Sequence, residues 1–392
     1  MESNSKKQKI LIYSPIFFPD IGGPAIQGKY LAETLADNGF EVSVIKFSKP
    51  EFLNPKFKVI SLNWLPNPSV ISRVYRWFFG PLISIFYLLR IRPNLVIVNS
   101  VFWNGMVMGL FCRFARIPTI LKFAGDWVFE SLKDQKNQSV DFLKIYKGSV
   151  LTRFLFLIEK FFINKFNVVW VISEFRKKNV QQLSKSPMIW LQCNFHDLPQ
   201  FSSKSSSRFS SPVIFVTSAR LIPHKRIDTL INTVSKLNYD FRLIIIGEGP
   251  ELENLTQLVN ELKLETRIFF LGKISSELLF EILSLSSAYL SWSAEEGAPN
   301  AFIEALNFGL PIITANVGGI SEMFEPNSKS VKLIDPDDPH QLFDYLSSLN
   351  FETNELEVMS DSAFAEGRKF LRSENETQVV EFIKNLLNSE KC

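Results

Sequence analysis

Short unbroken apolar runs alternate along this chain with stretches whose apolar positions recur every three or four residues. KILIYS (9–14) is the first such run, followed by a Gly/Pro loop and then PAIQGKYLAETLADNGF (24–40). In that segment Pro24 suits a first helical turn, Ile26, Tyr30 and Leu35 fall near one face, and Gly39 suits the exit. EVSVIKF (41–47) completes a strand–helix–strand opening. LVIVNS (95–100), IPTILKF (117–123) and NVVWVIS (167–173) are further apolar runs of the kind that strands buried on both faces show, which predicts a parallel sheet. A serine-rich stretch, FSSKSSSRFSSP (201–212), reads as a linker or exposed entry to a second half.

After it the alternation restarts. Strands are expected at PVIFVTS, FRLIIIG, RIFFLG, AYLSW and KLI. Helices are expected at RIDTLINTVSKL, PELENLTQLVNELKL, SSELLFEILSL and from Asp338 onward, and TQVVEFIKNLL is the one helix read in the tail after Glu352. Repeated β-α alternation predicts an α/β protein with two doubly wound sheets, whose ligands bind beyond the carboxyl ends of the strands. The expected domains are 1–195 and 196–370, with 371–392 a C-terminal helix that can cross back to the first.

The length, 392 residues, exceeds what one core usually serves, in keeping with two domains. Charge separates the halves. Residues 1–195 hold 26 Lys and Arg against 12 Asp and Glu, and the remainder holds 17 against 28, so a net +14 faces a net −11. A basic half of that size points to an anionic partner: nucleic acid, a membrane surface or a phosphorylated acceptor. Nucleic acid is disfavoured, because the basic residues are interleaved with buried strands and form no reading motif. Cys112, Cys193 and Cys392 are scattered and odd in number, and His196, His224 and His340 show no metal-ligand spacing. This argues against a disulfide framework or a zinc site and for a reducing compartment. MESNSKKQKILIYSP lacks the apolar core and cleavage site of a signal peptide, so the expectation is an unexported protein.

Candidate chemistry falls where strands end. Gly22 and Gly23, beside Pro24, can bring backbone N–H groups and a helix N-terminus to a phosphate, or they form an ordinary tight turn. Gly247-Glu248-Gly249-Pro250 repeats that signal without the third glycine of a dinucleotide fingerprint. Arg220 and Lys225 flank a proline-containing loop after PVIFVTS. They can neutralise a diphosphate leaving group, or they are a solvated basic loop. Because cations are unfavourable at a helix start, Lys225 and Arg226 require an offsetting interaction there. The densest signal is EEGAPNAFIEALNFGLPIITANVGG (295–319), with Glu296 ahead of a helix starting near Pro299 and Asn300, Glu304 a turn inside it and Gly309 at its exit. A carboxylate so placed accepts hydrogen bonds from vicinal hydroxyls, as acidic residues do for ribose. Helix-start charge and surface capping are the plainer alternatives. For Glu304, between Ile303 and Ala305, a surface role fits poorly.

These residues carry a resemblance. E-x7-E running into EALNFGLPIITANVGG, R-x4-K after the first strand of the second half and a GG loop after the first strand of the chain resemble glycosyltransferase family 4, retaining nucleotide-sugar transferases of the GT-B fold. GEGPEL, LGKIS, NFHDLPQF at the domain crossing and LIDPDDP before a late helix fall in the same order, so the likeness runs through nearly the whole chain. It implies two Rossmann-like domains facing across a cleft that holds a nucleotide-diphosphate sugar. Glu304 would bind the ribose, Glu296 the sugar hydroxyls, Arg220 and Lys225 the diphosphate, and Gly22 and Gly23 would complete the phosphate site. Gly247, Ala298, Pro299 and Asn300 join the donor contacts. It further implies a metal-independent hexosyltransferase that needs no cofactor beyond the donor substrate, with protein positioning and charge stabilisation carrying the reaction.

Three departures accompany the likeness. Gly125-Asp126-Trp127 stands where many members have a sugar-contacting histidine, so Asp126 is a candidate for sugar or acceptor binding, or a helix cap. Ala298-Pro299 replace the more usual Phe-Gly. The D-x-D in Asp335-Pro336-Asp337-Asp338 reads as turn and N-cap chemistry rather than a metal motif.

VYRWFFGPLISIFYLLRIR (74–92) is an aromatic-rich helix pattern whose uncharged core, Trp77 to Leu89, is too short to span a bilayer, and LTRFLFLIEKFFINKF (151–166) is a second aromatic-rich helix pattern, with Arg153, Lys160 and Lys165. Either can be a core helix. With the basic half they point to an anionic membrane surface and a glycan or polyprenyl-type lipid-linked acceptor. The function expected is cell-surface polysaccharide biosynthesis at the cytoplasmic face of the cell membrane. A GT-B epimerase or phosphorylase, and a non-catalytic sugar-nucleotide-binding protein, are the rivals.

Overall fold

A computed structural model describes residues 7–20, 22–47, 54–62, 70–99, 103–125, 150–184, 188–198, 209, 211–349 and 355–389. The chain divides into two compact units. One runs through Asp197 and takes back Arg372–Cys392, and the other is built on Leu198–Leu371.

The first unit comprises β1 (Lys9–Tyr13), α1 (Gly23–Asp37), β2 (Glu41–Lys46), β3 (Lys58–Ser61), α2 (Val70–Ile91), β4 (Leu95–Val98), α3 (Trp103–Phe114), β5 (Thr119–Phe123), α4 (Val150–Ile163), β6 (Val168–Val171), α5 (Glu174–Leu183) and β7 (Met188–Leu191). Its strands pair in the order β3-β2-β1-β4-β5-β6-β7, all parallel. The central strands β4, β5 and β6 are buried throughout, which is why each reads as a bare apolar run. The edge strands β3 and β7 are mixed in burial and stand outside that pattern.

β5 carries one exception, Lys122, which is fully enclosed: its Nζ donates to Gln27 Oε1 at 3.3 Å and lies 4.5 Å from the Trp170 ring centroid. Burial pushes its ammonium down to about 7.

The second unit comprises β8 (Val213–Ser218), α6 (Ile227–Val234), β9 (Phe241–Ile246), α7 (Leu252–Glu261), β10 (Ile268–Gly272), α8 (Ser276–Leu285), β11 (Ala288–Ser291), α9 (Asn300–Asn307), β12 (Ile312–Ala315), β13 (Val331–Ile334), α10 (Pro339–Ser348) and α11 (Glu355–Gly367). The strand order is β10-β9-β8-β11-β12-β13, again all parallel. The order reverses between β8 and β11, and a crevice at that switch point is where ligands bind in doubly wound sheets.

The tail holds two helices rather than the single one expected, since α11 precedes α12 (Arg372–Ser389). α11 packs against α9, and its buried Glu366 accepts a hydrogen bond from Glu325 N–H at 3.1 Å and one from Ser330 Oγ. A carboxylate at a helix–loop junction gives no apolar period to read. α12 belongs to the first unit: Val379, Val380, Ile383 and Leu387 join the core of Leu31, Leu35 and Trp190, and Phe382 stacks on Trp190 with ring centroids 3.9 Å apart. Arg372 anchors its start, bonding to Asp37 at 2.6 Å and Asp197 at 3.3 Å.

Candidate functional site

β8 ends at Ser218, where Tyr289 of β11 pins the strand: Ser218 N–H donates to the Tyr289 hydroxyl at 2.9 Å, and that hydroxyl lies 2.9 Å from the Ser218 carbonyl. Burial pushes the Tyr289 phenol up to about 12, and the negative charges of Glu304 and Glu296 add to the rise. The two carboxylates thus act on the same hydroxyl, at the carboxyl ends of β8 and β11.

Beyond Ser218 the chain makes a 3-10 turn at Pro223–Lys225 and enters α6 through Arg226 in the left-handed conformation, φ +47°. Two neighbouring loops hold this turn. Leu221 N–H donates to the Glu248 carbonyl at 2.9 Å, and Ala294 N–H to the His224 carbonyl at 2.8 Å. Gly247 is needed for that approach, because a Cβ there would stand 1.9 Å from the Ala219 carbonyl oxygen, and its φ is +133°. The glycine thus has a packing reason in addition to the phosphate role expected of it.

The offsetting interaction that Lys225 needs is Glu296. Their side chains form an ion pair while only 18% and 14% exposed. Removing one partner of a pair this enclosed leaves a largely desolvated charge alone. Arg220 is exposed, and Arg226 Nη1 donates to the Pro336 carbonyl at 3.4 Å.

Glu296 is fixed from its backbone side by the glycine pair that stands out in the sequence. Gly319 N–H donates to the Glu296 carbonyl at 3.0 Å, and Gly318 adopts φ +58° with its Cα so near that a Cβ would lie 2.0 Å from the same oxygen. The loop after β12 and the loop before α9 are thereby locked together. Ala298 is buried, Pro299 is the N-cap of α9 and Asn300 its first residue. Glu304 sits one turn in and keeps part of its surface exposed, yet burial pushes its carboxyl up to about 7. Desolvation of this kind is the environment in which a carboxylate gains from a ligand that donates hydrogen bonds.

The second unit therefore carries Arg220 and Lys225 in the loop after β8, Glu296, Ala298 and Pro299 in the loop before α9, and Asn300 and Glu304 in α9 itself, around one switch point, with Gly247 in the loop after β9. Gly22 and Gly23 lie in the first unit, at the N-terminus of α1, where Gly22 is the cap and its carbonyl accepts from Ala25 N–H at 3.0 Å. Asp126 lies outside the described residues. The D-x-D is turn and cap chemistry: Asp335 Oδ1 accepts from Asp337 N–H at 3.0 Å, and Asp338 Oδ1 from His340 N–H at 3.1 Å at the start of α10. Among the described residues no three His, Cys, Asp or Glu side chains gather in a metal-holding cluster. Sequence reasoning missed Tyr289 and Ser218, since a tyrosine inside AYLSW reads simply as a strand residue.

One seven-stranded and one six-stranded parallel sheet, each clothed in helices, have the architecture of the GT-B fold. A solved structure of Anabaena Alr3699/HepE in complex with UDP-glucose has this fold, with a TM-score of 0.74 and 18% identity over 96% of this chain and 99% of that one. Residues 200–365 match the model of the family described as glycosyl transferases group 1. It is 24% identical over 319 residues to the N-acetyl-alpha-D-glucosaminyl L-malate synthase of Bacillus anthracis, covering 79% of each chain. It is 28% identical over 200 residues to the O-antigen biosynthesis glycosyltransferase WbnH of Escherichia coli, covering 50% of this chain and 56% of that one.

Proposed function

We propose that this protein is a retaining glycosyltransferase that moves a hexose-type sugar from a nucleotide-diphosphate sugar to a glycan or polyprenyl-type lipid-linked acceptor, in the building of a cell-surface polysaccharide. The observation that carries the reading is the enclosed Lys225–Glu296 pair beside Glu304 at the switch point of the second sheet. Lys225 and the exposed Arg220 supply positive charge for a departing diphosphate, and Glu296, turned by its own ion pair, is an acceptor for sugar hydroxyls. Glu304 accepts from vicinal ribose hydroxyls, recovering in the complex the solvation it lacks in the free protein. Gly22 and Gly23 stay in the proposal as an anion-binding element of the first unit. UDP-glucose in the HepE structure and the O-antigen role in the name of WbnH support the donor and pathway class.

The reaction proposed needs no metal and no cofactor besides the donor, and takes place at the cytoplasmic face of a membrane. Among the described residues no helix is long and apolar enough to cross a bilayer. The test is thermal stabilisation by a panel of UDP-, GDP-, ADP- and TDP-sugars, because a ligand of the folded state raises its midpoint. The expected result is a rise with one nucleotide class, lost in Lys225→Ala and Glu304→Ala. A rise that survives both substitutions overturns the site assignment. Proton NMR of the transfer product then reads the anomeric configuration, and an inverted product rejects retention. Activity undiminished by a chelator is the expected result for metal independence.

A further inference from the structure

We propose that the layer of helices α2, α3 and α4 is a docking surface for an anionic lipid bilayer. On α2, Phe79, Leu82, Phe86 and Leu89 are 54%, 62%, 58% and 56% exposed, while Pro81, Ser84 and Leu88 are buried. On α4, Val150, Phe154, Leu157 and Phe161 are 84%, 58%, 60% and 50% exposed, while Phe162 and Ile163 are buried. Steps of three and four residues put each set in one stripe along its helix. α3 packs between the other two and ends in Phe114, 80% exposed. Single exposed apolar residues are ordinary, but parallel stripes on neighbouring helices of one layer are not scatter. Both sequence patterns are thus core helix on one side and open apolar surface on the other.

Charge selects the occupant. The three helices contain Arg73, Arg76, Arg90, Arg113, Arg153 and Lys160, and their single acidic residue, Glu159, is wholly buried. Arg92 and Arg116, just past α2 and α3, are also exposed. A second copy of the chain using the same face would set cation against cation, whereas anionic headgroups over acyl chains complement both the positive charge and the apolar stripes. Helices packed along a sheet lie in its plane, so the stripes present themselves flat, as an interfacial helix does with its apolar face about 5–10 Å into the headgroup boundary.

This inference rests on the membrane-surface part of the reading above and holds whichever sugar is moved. Its test is flotation of the full chain with vesicles of phosphatidylcholine alone or mixed with phosphatidylglycerol. Wild type is expected to float with the mixed vesicles and to be released by salt. Arg90→Glu/Lys160→Glu should lower partitioning on the order of thirtyfold or more, each basic residue near an anionic surface being worth roughly fivefold. Phe86→Ser/Leu157→Ser should lower it at unchanged charge, with Phe114→Ser a milder variant whose helix-end position spares the core. Folding of each variant is checked by circular dichroism and its ligand-free thermal midpoint in vesicle-free buffer, so failure here and failure of the donor site are separate results. Absence of wild-type flotation with anionic vesicles overturns the proposal. So does partitioning unaffected by both double variants, or a wild-type dimer in vesicle-free buffer that Phe86→Ser/Leu157→Ser splits.

Discussion

Replacing Glu304 by Gln should stabilise the protein, and increasingly so as pH rises. In the folded state burial raises this carboxyl from 4.5 to about 7. Between those values the native chain keeps a proton that the unfolded chain has lost, so stability falls as pH climbs through the window. Below 4.5 both states are protonated and nothing is lost; above about 7 the loss is complete. At about 1.4 kcal/mol for each pH unit, the penalty is on the order of 1 kcal/mol near pH 5 and about 3 kcal/mol near pH 8. A neutral glutamine carries no such dependence.

The quantity to measure is the variant-minus-wild-type difference in stability, which cancels every other titrating group. It should grow by about 2 kcal/mol across that range, a relative midpoint change of roughly 4–8 °C for a domain of this size. Calorimetry at several pH values reads it directly. A difference that stays flat, or shrinks toward high pH, refutes the desolvated-carboxylate reasoning. Nucleotide-sugar affinity in the wild type should strengthen as pH rises through about 7, and Glu304→Gln should bind weakly at every pH.

Lys225→Met should lower stability by about 2 kcal/mol, less than the cost at a fully buried pair because both groups keep some solvent, and Glu296→Gln added to it should recover part of the loss; denaturant titration of the single and double variants checks this. Gly318→Ala should cost at least ~1 kcal/mol from its positive φ alone and, by displacing the Glu296 carbonyl, lower kcat/KM by about tenfold or more, as thermal melts and steady-state kinetics with the matched donor would show. Lys122→Met should raise stability, because the ammonium, lowered from 10.5 to about 7, is penalised most fully below the lower value. That gain, roughly 2–4 kcal/mol near pH 6, should fade as pH rises toward 10.5, where the unfolded chain gives up its proton too.

The central strands and most helices of both units are legible because a strand buried on two faces leaves an apolar run and a half-buried helix leaves a period. β3 and β7 escape such reading: at the sheet edge their burial is mixed, and four-residue strands carry little signal. α3 is apolar nearly all round, and α11 is seated by the satisfied carboxylate of Glu366, so neither displays a simple polar face. In the site, the motif residues could be named from their spacing, but their relations could not. Lys225 and Glu296 are 71 positions apart, and only the β8–β11 adjacency makes them partners. Tyr289 is likewise ordinary as a strand residue until the end of β8 is placed against its hydroxyl.

The return of α12 to the first unit sets an order on the birth of the protein. Trp190, Leu31 and Leu35 are covered by residues after Arg372, so the second unit, Leu198–Leu371, must leave the ribosome before the first can close. At usual translation rates that interval is roughly 10–35 s. Through it the nascent first unit displays the apolar seat of α12 as well as its lasting outer stripes. Chaperone demand should therefore concentrate on a species whose N-terminal half is made but uncapped, and supplying the α12 segment as a separate peptide should shorten that exposure.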